Sequence, residues 1–291
     1  MVKFPETELI LTPEGRVYHL NLRGEDIADN VIVVGDQNRV ATISSRFSKI
    51  EFTTAHREFI THTGIYEGKR ITVLSSGIGT DNIDIVLNEL DAAVNIDPNT
   101  RTERVEKRRL NIIRLGTSGA LQQHIPVNAL VASSYGLGLD GLLNYYGGWK
   151  SINENPISEH FMAHTQWPSN LAYPYCVAAS DGLLAQFSDC FQGITATAPG
   201  FYGPQGRQLR LAALVPDLNE KLTAFSHGPL QICNFEMETS AIYGLGKLLG
   251  HRCLTICVII ANRVRKEFTK DGNKSVDIMV DHCLNKIAEL A

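Results

Sequence analysis

In IIRLGTSGAL (residues 112–121) a single arginine, Arg114, interrupts an apolar run and is followed at once by Gly-Thr-Ser-Gly. A guanidinium is a planar fork that grips phosphate with two hydrogen bonds. A hydroxyl such as that of Thr117 donates one more, and glycine lets backbone N–H groups approach the oxygens. The stretch reads as an oxyanion cradle at the mouth of a buried strand, with an arginine snorkelling to solvent as the plain alternative. Two other places repeat the theme: VIVVGDQNRV (31–40) ends a run at Gly35 and sets Arg39 on the first turn of an expected helix, and AHREF (55–59) places Arg57 between His56 and Glu58. Either alone is also an ordinary surface turn.

A different chemistry lies in NFEMETSAIYGLGKLLG (234–250), where Glu236 and Glu238 flank Met237 at the start of an amphipathic helix. Each carboxylate could simply complement the helix dipole. The pair could instead hold a vicinal diol while the thioether packs on a sugar ring. An anion cradle beside a diol clamp suggests ribose next to phosphate. FYGPQGR (201–207) adds Phe201, Gln205 and Arg207: a phenyl face to stack, an amide that both donates and accepts, and a cation for a carbonyl. An ordinary polar turn is the alternative there. Gly77 and Gly79 of SSGIGTDN (75–82) hint at a dinucleotide fingerprint, but Asn82 stands where the third glycine belongs. They read better as a tight strand-to-helix turn at the same crevice.

These residues need a scaffold. Short β-rich apolar runs at 31–34, 71–76, 111–116, 129–133, 175–180, 194–198 and 253–261 read as buried strands. Helical spacing appears at 81–95, 236–250 and 276–290. Alternation of the two predicts a three-layer α/β/α single domain over 1–291 with a mixed, largely parallel central sheet, antiparallel pairing around 50–66, and the ligand crevice at the carboxyl ends of the strands. Residues 135–175, rich in Gly, Asn and aromatics without a clear period, read as a long loop or small excursion.

Bulk properties exclude several classes. The net charge is −4 and the 27 basic residues are scattered, so neither a nucleic acid nor an anionic membrane is the expected partner. The start MVKFPETELI lacks the apolar core of a signal peptide, and no apolar run reaches the roughly 18 residues that span a bilayer. A cytoplasmic location is expected. The six cysteines show neither C-x-x-C nor a Cys/His metal spacing, and reduced, mostly buried thiols are expected.

Taken in order, YHLNLRGEDI, VVGDQNRV, AHREF, SSGIGTDN, IRLGTSGAL, FYGPQGR, NFEMET and VIIANRV resemble the nucleoside phosphorylase family, and within it the uridine phosphorylases. The resemblance implies phosphorolysis, with phosphate as co-substrate, uridine as substrate, and no cofactor. It implies that Gly35, Arg39, Arg114 and Thr117 hold phosphate, with Arg57 supplied by a neighbouring subunit. Met237 and Glu238 would hold ribose, with Glu236 nearby and His19 reaching the 5′-hydroxyl from the partner. Phe201 and Phe235 would stack on the base, with Gln205 and Arg207 reading its edge and Arg263 close by. Catalysis would then rest on Arg114, Gln205, Arg207 and Arg263. Purine-acting relatives carry an aspartate where this chain has Asn262 and Arg263, which favours a pyrimidine. The implied assembly is a homo-oligomer with shared sites, a dimer or a trimer of dimers. A potassium ion at Glu58, Ile78 and Asn82 is left open, since Asn82 replaces the family's serine. The alternatives are a purine nucleoside phosphorylase or nucleosidase, or a catalytically silent nucleoside-binding protein.

Overall fold

A computed structural model describes residues 2–290. In chain order, β1 (Asn30–Val34) leads into α1 (Gln37–Ser44). A hairpin of β2 (Lys49–His56) and β3 (Phe59–Tyr66) returns through β4 (Lys69–Ser75) into α2 (Thr80–Asn95). Next come β5 (Asn111–Ala120), β6 (Leu130–Gly138), α3 (Asn155–Thr165), β7 (Tyr175–Ala178) and β8 (Phe191–Thr197). The chain finishes with α4 (Leu218–Ala224), β9 (Leu230–Glu236), α5 (Thr239–Leu248), β10 (Arg252–Asn262) and α6 (Gly272–Ala288).

Every residue of β1 is buried, as an interior parallel strand requires. It pairs in parallel with β4 on one side and β5 on the other. Beyond β4, the β3 and β2 strands are antiparallel, as expected for the segment around 50–66. On the other side the order β5, β10, β6, β8, β9 does not end in a free edge, because β9 pairs back onto β5 through Asn234↔Ala120 and Phe235↔Gly119. Five strands thus close into a ring, and the flat part of the sheet extends from it. Helices α2 and α5 pack on each other, while α6 lies against β10 and β5. Among the described residues no helix is long and apolar enough to cross a membrane.

Three details correct the sequence reading. The Gly-Thr-Ser-Gly stretch is not a loop at the strand mouth: β5 runs through it to Ala120, because the ring needs those residues to reach β9. Glu236 does not begin a helix but ends β9, and α5 starts at Thr239. Within 135–175, strand β6 continues to Gly138 and α3 buries Ile157 and Phe161. The expected turn at Gly77 and Gly79 is present, with φ of +71° and +101°, a region that glycine enters freely.

Candidate active site

A cavity of about 560 Å³ opens where β1, β5, β9 and β10 end, and it gathers Gly35, Arg39, Arg114, Thr117, Phe201, Gln205, Arg207, Phe235, Glu236, Met237, Glu238 and Arg263. Alternation along β5 puts Arg114 and Gly116 on one face. The guanidinium folds back over Gly116, where any Cβ would collide with it. A side chain two residues after the arginine would therefore displace the guanidinium from this position.

Arg114 is only 5% exposed. One terminal nitrogen donates to Glu238, and the other lies 3.4 Å from a Glu236 oxygen and 3.4 Å from Cys257 Sγ. Its Nε is buried and lacks a protein partner among the described residues. Burial opposes the charge, but Glu238 and Glu236 outweigh it and raise the pKa above the ordinary arginine value. Arg39 reaches the same place from α1 and donates to the Leu115 carbonyl at 3.0 Å. Burial, and then the positive charge of Arg114, lower its pKa. Two guanidiniums that repel one another in a partly desolvated cleft favour an anion between them.

The two glutamates divide their work. Glu236 accepts from the Thr197 hydroxyl at 2.7 Å and from the N–H groups of Glu238 and Thr239 at 3.0 Å each, so it caps α5. Glu238 accepts from the Gly79 N–H at 2.9 Å and from Arg114. Of the two, Glu238 has the bonding that an incoming diol could exchange. Burial pushes Glu236 up from the ordinary 4.5 to about 6; Arg114 eases the shift and Glu238 reinforces it.

That shift makes a testable statement. A carboxyl whose folded pKa lies above its unfolded value binds its proton more tightly when folded, so its contribution to stability is full below about 4.5 and is lost as pH rises through about 6. Urea unfolding from pH 4.5 to 7 should show wild type losing on the order of 1–2 kcal/mol relative to Glu236→Gln across that window. A difference that does not change with pH would refute the shift.

On the opposite wall, the Arg207 guanidinium stacks 3.7 Å from the centroid of Phe201 and donates to its carbonyl and to Gln205 Oε1, both at 2.6 Å. Arg263 donates to the Gln205 carbonyl at 2.7 Å and approaches Gln205 Oε1 at 3.4 Å. Its guanidinium lies 5.9 Å from the Phe235 ring. Burial lowers Arg263 to about 10, helped by Arg207, and burial also lowers Arg207. The result is a buried amide held by two arginines, each facing a phenyl ring, an arrangement suited to a planar ring with carbonyl oxygens.

His19 and Arg57 do not line this cavity. His19 Nδ1 lies 2.6 Å from Glu89, its carbonyl faces His56 Nδ1 at 3.0 Å, and exposed Arg57 sits at the hairpin turn over Tyr18. Together they form a separate surface cluster. Glu58 and Asn82 flank the Gly77 turn, and Ile78, 68% exposed, stands at the cavity rim. The sequence reading missed Asp36, Ser118, Gly119, Ile260, Ala261 and Phe268, which also line the cavity. The first five lie inside stretches already singled out; Phe268 carries no signal of its own.

The chain belongs to the phosphorylase superfamily, whose family model matches residues 29–290. It is 30% identical to a uridine phosphorylase of Thermococcus kodakarensis over 99% of this chain and 92% of that protein. A uridine phosphorylase of Haemophilus influenzae is 28% identical over 88% of this chain and 90% of its own length. Among solved structures, a Trypanosoma brucei nucleoside phosphorylase that shows uridine phosphorylase activity superposes with a TM-score of 0.82, at 28% identity, covering 97% of this chain and 98% of that one.

Proposed function

We propose that the protein cleaves uridine with phosphate to give ribose 1-phosphate and uracil. The observation that carries this reading is the juxtaposition, in one cavity, of the Arg39–Arg114 pair, Glu238 and the Phe201–Gln205–Arg207–Arg263 cluster. The named relatives support it. Breaking an N-glycosidic bond builds positive charge on ribose and negative charge on the departing base. In this reading Arg39, Arg114, Thr117 and the Gly35 backbone hold the phosphate in line with the sugar, and Glu238 exchanges Arg114 for a ribose hydroxyl as the anion arrives. Met237 packs on the ring. Arg207 and Gln205, backed by Arg263, stabilise the uracil anion, which leaves without a dedicated acid. The purine alternative loses its proton donor: Asn262 is 1% exposed and donates to the Gln122 and Ile125 carbonyls at 2.9 and 2.8 Å. Incubating purified protein with uridine, inosine and adenosine, with and without phosphate, and measuring free base tests the reading. Phosphate-independent release or a preference for inosine overturns it.

Arg57 and His19 enter only if a second chain supplies them, so the reading includes a homo-oligomer with shared sites. Mixing inactive Arg57→Ala chains with inactive Arg114→Ala chains under subunit exchange should restore activity, because some mixed sites hold both arginines. A monomer with full activity would refute sharing. At the same boundary, Glu58 makes no ion pair among the described residues, and with the Ile78 carbonyl and the Asn82 amide it offers oxygens suited to a potassium ion. Free cysteines, five of six buried, support a cytoplasmic location.

A further inference from the structure

Sequence spacing gives the cysteines and histidines no metal motif, yet folding brings Asp189, Cys190 and His282 together. One donor atom from each lies within 4.8 Å of the other two. Asp189 and Cys190 sit on the turn that enters β8, and His282 sits on α6. His282 Nε2 is 3.3 Å from Asp189 Oδ2, yet it is buried and makes no hydrogen bond among the described residues. The imidazole packs edge-on against Phe187, with centroids 6.2 Å apart, which restricts its rotation. Burial, with the Asp189 charge, raises the Cys190 thiol to about 11.

A carboxylate beside an imidazole is a common surface pair. A free thiol at the same point gives one sulfur, one nitrogen and one oxygen donor, the mixed set that a borderline-soft divalent ion prefers. Tetrahedral zinc, with bonds of about 2.0–2.3 Å, wants its donors roughly 3.3–3.8 Å apart. Asp189, 49% exposed, can swing inward to meet that. We propose that Asp189, Cys190 and His282 form a zinc-type divalent cation site that ties the turn before β8 to α6. Binding forms the metal–sulfur bond and releases the thiol proton to solvent; His282 uses its neutral Nε2 lone pair, and water completes the shell. The site is remote from the nucleoside cavity, and its effect is on stability.

Lys286 supplies the sharpest control. Its ammonium lies 3.4 Å from Asp189 Oδ1 and competes with a metal for that carboxylate. Full-length protein, treated with chelator and dialysed, is titrated with cobalt(II) chloride. The expected result is one equivalent per chain with a near-ultraviolet thiolate charge-transfer band, absent in Cys190→Ala and requiring at least tenfold more cobalt in His282→Gln. Lys286→Gln should tighten binding several-fold. Zinc chloride should raise the melting temperature of wild type and not of Cys190→Ala, a readout that stands even if the histidine variant folds poorly. A second imidazole pair, His160 and His227 with Nδ1 atoms 3.2 Å apart, could also take cobalt but cannot give a thiolate band. Cobalt uptake by wild type without that band, or a zinc-induced shift in Cys190→Ala as large as that of wild type, overturns the proposal.

Discussion

Replacing Arg114 with alanine should reduce kcat/KM for uridine phosphorolysis by roughly 10²–10³-fold or more, the scale seen when a preorganised charge-stabilising donor is removed. Arg114 is buried, its charge is reinforced by two carboxylates, and once it is gone Arg39 is the guanidinium that the same chain still offers the anion on that wall. The loss has a second component. Glu236 and Glu238 would stay buried without their cation, and breaking a buried pair on one side costs about 3–5 kcal/mol. Two measurements separate the parts: thermal unfolding reports the stranded carboxylates, and phosphate saturation curves report the lost anion grip. Adding Glu238→Gln to Arg114→Ala should recover stability without recovering turnover. Wild-type turnover in Arg114→Ala would falsify the phosphate assignment, as would cleavage that no longer responds to phosphate.

Base choice should follow from the other wall, with uridine outpacing inosine and adenosine by about 10³-fold or more in kcat/KM. Gln205 is 3% exposed and its Oε1 already accepts from Arg207. A base edge must replace those bonds with equally good ones, because an unpaired buried polar group costs about 1–3 kcal/mol. Uracil can do so, with carbonyls for the arginines and an N3–H for the amide oxygen. Cytosine presents an amino group to Arg207 and has no N3 proton, so cytidine should also fail. Gln205→Ala and Arg207→Ala should damage uridine turnover while leaving phosphate saturation nearly unchanged, since Arg39 and Arg114 lie on other elements. A specificity constant for uridine that survives Arg207→Ala would remove the base pocket from this reading.

Much of the site was legible because its chemistry is concentrated in short stretches, each with polar groups set against glycine or apolar neighbours. Arg114, Glu238, Gln205 and Arg207 were each ambiguous alone, yet all line one cavity. Strands β1 and β10 were legible because they are mostly apolar, and β4 because its buried stretch carries Ile71, Val73 and Leu74. What stayed hidden depends on tertiary context. Strand β9 escaped because its buried face holds Asn234 and Glu236, satisfied by Ser118, Thr195 and Thr197, so its polarity masks its burial. Helix α3 escaped because Ser158 and Thr165 are buried alongside Ile157 and Phe161, diluting the apolar period. Glu236 read equally well as cap or diol ligand, and only its hydrogen bonds to Glu238 and Thr239 distinguish the two. The ring closure had no local signature at all, since it joins residues more than 110 positions apart.

That closure also constrains how the scaffold can change over time. The pairing of Gly119 and Ala120 with Phe235 and Asn234 joins the strand that carries Arg114 and Thr117 to the strand that carries Phe235 and Glu236 in one hydrogen-bonded ladder. Inserting one residue between Arg114 and Gly119 would turn every following side chain to the opposite face and disturb both pockets at once. The segment 199–217, with only a short turn at Gly203–Gln205 and with Leu209, Leu211 and Leu214 exposed, can gain or lose residues without altering any strand register. Changes of length are therefore accommodated in that segment, whereas one in the ladder behind it would shift the register of both strands.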